Sequence, residues 1–113
     1  MTKDMSKTKK EMMNDFSTRA KKIIHRIPKG KVTTYGLIAA ASGNHRAARH
    51  VARLLHSCSR KDNLPWHRVV NRMGRISLGH FEGYEIQKAL LVEEGVRFGP
   101  NDTIDLHAYL WQP

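Results

Sequence analysis

Apolar residues recur at helical spacing in the first quarter of the chain. Met13, Phe16, Ala20, Ile23, Ile24 and Ile27 fall mostly three or four apart with Lys and Arg between them, and the run stops at Pro28 and Gly30. This spacing predicts a helix over about residues 11–27 with one apolar stripe. The polar, Lys-rich residues 1–10 before it are expected to be a flexible start. After the turn PKGKVTT, the short run YGLIAAAS (35–42) predicts a second helix closed by Gly43, and NHRAARHVARLLHS (44–57) a third, with Asn44 as its N-cap. Ala47, Ala48, Val51, Ala52, Leu54 and Leu55 fall on one side of that third helix. Arg46, Arg49, His50, Arg53 and His56 make most of the other. Two short helices joined by a Gly-containing turn, the second one basic, form the pattern of a helix-turn-helix. An ordinary amphipathic helix with a solvated basic face carries the same pattern.

The second half is more irregular. SRKDN (59–63) is a polar loop, and NRMGRISLGHFEG (71–83), with three glycines, predicts irregular structure or a short hairpin. YEIQKALLVEEG predicts a helix capped by Gly95, and the weakly alternating tail from Val96 adds a strand or packs as a loop. Between them, LPWHRVVN (64–71) is a short buried strand or turn: Pro65 fixes its own φ and restricts Leu64, and two β-branched valines follow the polar pair His67-Arg68. No repeat or linker divides the chain. The pattern predicts one compact, mainly α domain over residues 11–113.

Composition narrows the functional classes. At 113 residues and 40% hydrophobic content the chain can build one modest core. No run is long and apolar enough for a membrane helix, and the start lacks the hydrophobic region of a signal peptide, so a cytoplasmic protein without membrane attachment is expected. Cys58 is the lone thiol, which suits a reducing compartment, and the seven His show no ligand spacing with a second Cys. No metal and no cofactor is expected. Charge is more telling. Residues 1–30 hold nine basic and three acidic side chains, residues 31–75 nine and one, and residues 76–113 two and six. A middle so poor in carboxylates points to a polyanion, because each phosphate neutralised by Lys or Arg releases a counterion.

GKVTTYGLIAAASGNHRAARHVARLL followed by LPWHRVVNRMGRIS resembles the DNA-binding domain of the O6-alkylguanine-DNA alkyltransferases, whose active-site motif is Pro-Cys-His-Arg-Val. With Trp66 at the Cys position it resembles the alkyltransferase-like branch, which binds alkylated DNA without repairing it. The similarity runs from about Phe16 to Gly95. It implies a winged helix-turn-helix-like domain that docks in the minor groove and extrudes the damaged nucleotide, probed against duplex DNA carrying O6-alkylguanine. By this resemblance Tyr35, Arg46, Ala47, Ala48, Arg49 and Arg53 contact DNA. Arg49 replaces the departed base and Tyr35 presses on the adjacent phosphate; a phosphate-binding Arg and a core-capping Tyr are the plainer roles. The small Ala47 and Ala48 suit a helix set deep in a narrow groove. Tyr35, Pro65, Trp66, His67 and Val69 would form the lesion pocket, with Trp66 as an aromatic wall and the backbone around Val69 hydrogen-bonding the base edge.

The resemblance also says what is missing. Alkyl transfer needs a thiolate activated by a neighbouring base, and an indole has a donor-only N–H and no group that ionises near neutral pH. His67 and Glu94 match the His and Glu that activate the thiol in the family, so here no residue is catalytic and the two remain as a polar framework. Cys58 stands where the family has an Asn that holds the active-site turn, and SLGHFEG departs from the family's Tyr-Ser-Gly-Gly. The implied function is a monomeric, non-enzymatic damage sensor, nucleoid-associated when bound, that marks lesions for nucleotide excision repair proteins. Two other readings stand beside it: a winged-helix transcription regulator, and an active alkyltransferase using Cys58.

Overall fold

The structure, a computed structural model, describes residues 5–113, with side chains from Phe16 onward. The flexible start expected over residues 1–10 falls partly on residues 1–4, outside the described residues. Helix α1 (Met5–Arg26) begins earlier than its apolar spacing predicts. Phe16, Ala20, Ile23, Ile24 and Ile27 are buried along one stripe; Met13, assigned to the same stripe, lies outside the described side chains. Pro28 and Gly30, the latter at φ +84°, then turn the chain away.

Thr34 ends the short strand β1 (Thr33–Thr34) and caps α2 (Tyr35–Ala41), its hydroxyl accepting the Leu37 N–H at 3.1 Å. Helix α3 (Ala48–Cys58) starts later than the sequence suggests, and Asn44 is not its N-cap. The Asn44 side-chain oxygen accepts the Arg46 N–H at 3.1 Å and its carbonyl the Ala47 N–H at 3.0 Å. Asn44 therefore builds a turn, since its amide reaches its own backbone two residues on before a helix can form. Arg46 and Ala47 stand before α3 and not on it. Val51, Leu54 and Leu55 are buried, whereas Ala52, assigned to the apolar side, is exposed.

The core falls into two clusters around β1 and its parallel partner β2 (Val69–Val70), which pair Thr33 with Val69 and Thr34 with Val70. Successive strand residues point to opposite faces. Val69 accordingly joins α1, α2, α3 and Leu64 in one cluster, while Val70 joins Val32, Leu91, Val96 and Ile104 in the other. Residues 71–83 are irregular. Helix α4 (Tyr84–Glu93) closes with the Val96 N–H on Leu91 O at 3.0 Å and the Gly95 N–H on Val92 O at 3.0 Å, a wrap that Gly95 permits at φ +94°. The tail adds no strand of its own. It carries the short helix α5 (Leu106–Tyr109) and packs along β1 through Val32 N–H to Tyr109 O at 2.9 Å and Trp111 N–H to Val32 O at 2.7 Å. The result is the mainly α, single compact domain expected, and among the described residues no helix is long and apolar enough to cross a membrane.

Candidate nucleic-acid interface

An open cleft of about 1100 Å³ separates α3 from the 71–83 loop and the start of α4. Along α3 its wall is Ala48, Arg49, Ala52, Leu55 and His56, one stripe of the helix. That stripe explains why Ala52 is not in the core. Tyr35, first residue of α2, and Trp66 contribute aromatic surface, both half-buried and packed against the first core cluster. Burial raises the Tyr35 hydroxyl above its ordinary pKa, opposed by a hydrogen bond with Ser77. Arg46 and Arg53 are exposed near this wall without lining it, and Ala47 packs on the core. Among the described residues, Arg46, Arg49 and Arg53 make no ion pair.

Of the expected pocket residues, Tyr35 and Trp66 face the cleft, and Pro65, His67 and Val69 do not. The backbone accounts for this. Trp66 opens a tight 3-10 turn, Trp66–Arg68, in which Trp66 N–H bonds Leu64 O at 2.8 Å, Arg68 N–H bonds Pro65 O at 3.1 Å, and Val69 N–H bonds Trp66 O. Val69 then enters β2 fully buried, and its carbonyl accepts from Gln87 Nε2 at 2.9 Å. Both polar groups of Val69 are thus engaged within the fold. Gln87 also donates to His67 O at 3.1 Å, so one buried amide holds the turn from beneath. Leu64, Ser77, Leu78, Gly83 and Ile86 also line the cleft, with polar side chains that include Arg60, Asn63 and Glu82, and were not identified from sequence. For Ser77, Leu78 and Gly83 the one signal was the divergent SLGHFEG loop; Leu64 and Ile86 lie outside it.

His67 turns away from the cleft to Glu94, with Nε2 2.8 Å from Oε2. Glu94 also accepts from Arg68 Nη2 at 2.8 Å and Nε at 3.0 Å and from the Gly30 N–H at 3.1 Å, while Arg68 Nη1 donates to Ile27 O at 2.9 Å. Burial pushes the Glu94 carboxyl up, but the hydrogen bonds from Arg68, His67 and Gly30 outweigh it and hold the pKa at about 2. This carboxylate anchors three segments of chain and stays ionised. Arg68 is its main partner, which the sequence did not reveal. Cys58 is half-buried near the end of α3, 3.5 Å from the Ser57 hydroxyl, and does not line the cleft.

A basic helix beside an aromatic-walled cleft can be set against known proteins. The sequence model of the 6-O-methylguanine DNA methyltransferase DNA-binding domain matches residues 15–96. The chain belongs to this methyltransferase family. A DNA base-flipping protein of Vibrio parahaemolyticus is 42% identical over 103 residues, covering 89% of this chain and 100% of the relative. Alkyltransferase-like protein 1 of Schizosaccharomyces pombe is 36% identical over 106 residues, covering 89% and 98%. The crystal structure of that yeast protein in complex with damaged DNA containing O6-carboxymethylguanine matches this fold with a TM-score of 0.79 at 36% identity, over 89% of this chain and 98% of that one. The span matched by the methyltransferase family takes in α2, α3, the Trp66 turn and all of α4, and leaves the tail from Arg97 outside.

Proposed function

We propose that this protein is a non-enzymatic sensor of O6-alkylguanine in duplex DNA. It docks α3 in the minor groove, extrudes the damaged nucleotide into the cleft, and marks the site for nucleotide excision repair. The observation that carries this reading is Trp66 in the cleft wall beside Arg49, with no thiol among the lining residues. An indole can stack on an extruded base, and it cannot accept an alkyl group by displacement at neutral pH. Glu94, held by Arg68, stays as an anchor of the turn. The names of the relatives, a base-flipping protein and an alkyltransferase-like protein bound to damaged DNA, support the same reading.

Titration of one duplex with and without a single O6-methylguanine tests it, followed by intact-mass measurement. Tighter binding to the damaged duplex is expected, with no change in protein mass. Equal affinity for both duplexes favours a transcription regulator. A gain of about 14 Da, one CH2, on Cys58 restores the enzyme reading.

A further inference from the structure

Four large hydrophobic side chains stand exposed among the described residues, and three of them, Phe81, Ile86 and Val92, lie on α4 and the loop that leads into it. Phe81 is fully exposed, its ring resting on nothing in the molecule. Its backbone sits at φ +66°, a region that side-chain-bearing residues rarely adopt. Glu85 holds it there, accepting the Phe81 N–H at 3.3 Å and pairing with His80 Nδ1 at 2.9 Å. On α4, Glu85, Ile86, Ala89, Val92 and Glu93 are all exposed, and at 100° per residue they fall on one side of the helix, opposite the buried Gln87 and Leu91. Glu82 flanks the same side. The basic residue within α4, Lys88, is tied to Asp102 at 2.9 Å. A chain of formal charge +10 therefore carries one exposed face on which Glu85 and Glu93 stand between the apolar Ile86, Ala89 and Val92.

We infer that this face of α4, with Phe81 at its end, docks a protein partner through an apolar groove rimmed by Lys and Arg. The inference rests on the sensor reading and names the surface by which the marked lesion is handed on. Carboxylates disfavour a phosphate backbone here; Glu82 and Ile86 also line the cleft, whereas Phe81, Glu85, Val92 and Glu93 do not. A partner that must grip the same duplex is itself cationic, and it is repelled by the basic middle of the chain and attracted by the carboxylates of this face. Phe81 and Val92 supply apolar anchors of the kind that dominate interface energies, and Glu82, Glu85 and Glu93 set orientation.

The test uses purified full-length protein, an O6-methylguanine duplex, and the damage-recognition proteins of nucleotide excision repair from the same organism as probe. Binary and ternary complexes are titrated separately for the natural protein, the Phe81→Ser/Val92→Ser double variant and Glu93→Lys. Ile86 is left intact because it also lines the cleft. The double variant is expected to keep its melting temperature and its binary lesion affinity, and to weaken the ternary complex by about tenfold or more, the effect of losing central apolar anchors. Glu93→Lys should weaken it by about threefold, as for a rim charge. An unchanged ternary affinity overturns the proposal. So does a parallel loss of binary affinity, which would make the face a DNA contact, or dissociation of a dimer by the same substitutions, which would make it a self-interface. Absence of any ternary complex with the natural protein overturns it as well. If the natural protein shows no binary preference for the lesion, it is the sensor reading that fails.

Discussion

Arg68 and Arg49 carry the same guanidinium and meet opposite surroundings. Arg68 is enclosed: the Glu94 carboxylate and Ile27 O accept its donors, with side-chain exposures of 17% for Arg68 and 8% for Glu94. Arg49 stands exposed on α3 with no ion pair among the described residues. Buried charge is tolerated only when its partners are in place, whereas an exposed cation keeps its donors available for a ligand. The difference separates an arginine that holds the Trp66 turn from one whose donors are left open to solvent, even though the two lie nineteen residues apart on one short stretch of chain.

Substitution at Glu94 should break this division most severely. Glu94→Ala leaves Arg68 buried with one acceptor, and an orphaned buried charge costs about 3–5 kcal/mol. Denaturant melts should show the loss; a change under 1 kcal/mol would mean that the enclosure of Arg68 contributes little. Acid offers a milder attack on the same contact. Because the Glu94 pKa is about 2 in the fold against 4.5 ordinarily, its contribution is complete above about pH 4.5 and disappears as pH falls through 2. About 3 kcal/mol of stability should be lost over that window, and Glu94→Gln should flatten the slope.

On the exposed side, Arg49→Ala should leave stability unchanged and reduce affinity for a lesion duplex by about 1–3 kcal/mol, the scale of one stacking contact, with a smaller loss on undamaged DNA. Equal losses on both duplexes would make Arg49 a phosphate anchor only. Gly95→Ala sharpens the boundary between the two regions. A Cβ there meets nothing within 4 Å, so the φ of +94° alone sets the cost, about 1 kcal/mol of stability with no effect on lesion preference. Arg53→Ala should have the smallest effect, under about 1 kcal/mol on either duplex and a salt slope reduced by about one ion.

The helices were readable because their signals are local. The apolar stripe from Phe16 to Ile27, the glycine at 43 and the glycine at 95 each act on their immediate neighbours, and α1, α2 and α4 follow. Asn44 misled because the same side chain that caps a helix can close a turn two residues long, and only the geometry chooses. The β1–β2 pair was not readable: two residues per strand carry no period, and Thr33 meets Val69 across 36 positions. The family resemblance joined His67 to Glu94, but nothing local links residues 68 and 94, so the share that Arg68 takes in the same carboxylate was not readable. The aromatic side of the cleft, Tyr35 and Trp66, came from family resemblance, whereas Leu78 lies in the loop where this chain departs from that pattern, and Ile86 is one apolar position of a helix whose exposed side no local signal assigns.

The 3-10 turn at Trp66 has a genetic consequence. Its three backbone hydrogen bonds and the Gln87 amide beneath it make no use of the indole, whose own contacts are with the cleft and the first core cluster. Tryptophan and cysteine differ by the third base of a single codon. One nucleotide therefore separates this gene from a version that carries a sulfur atom at the same position of the cleft. Two side chains of opposite chemistry, an inert indole and a nucleophilic thiol, are thus neighbours in sequence space at this position.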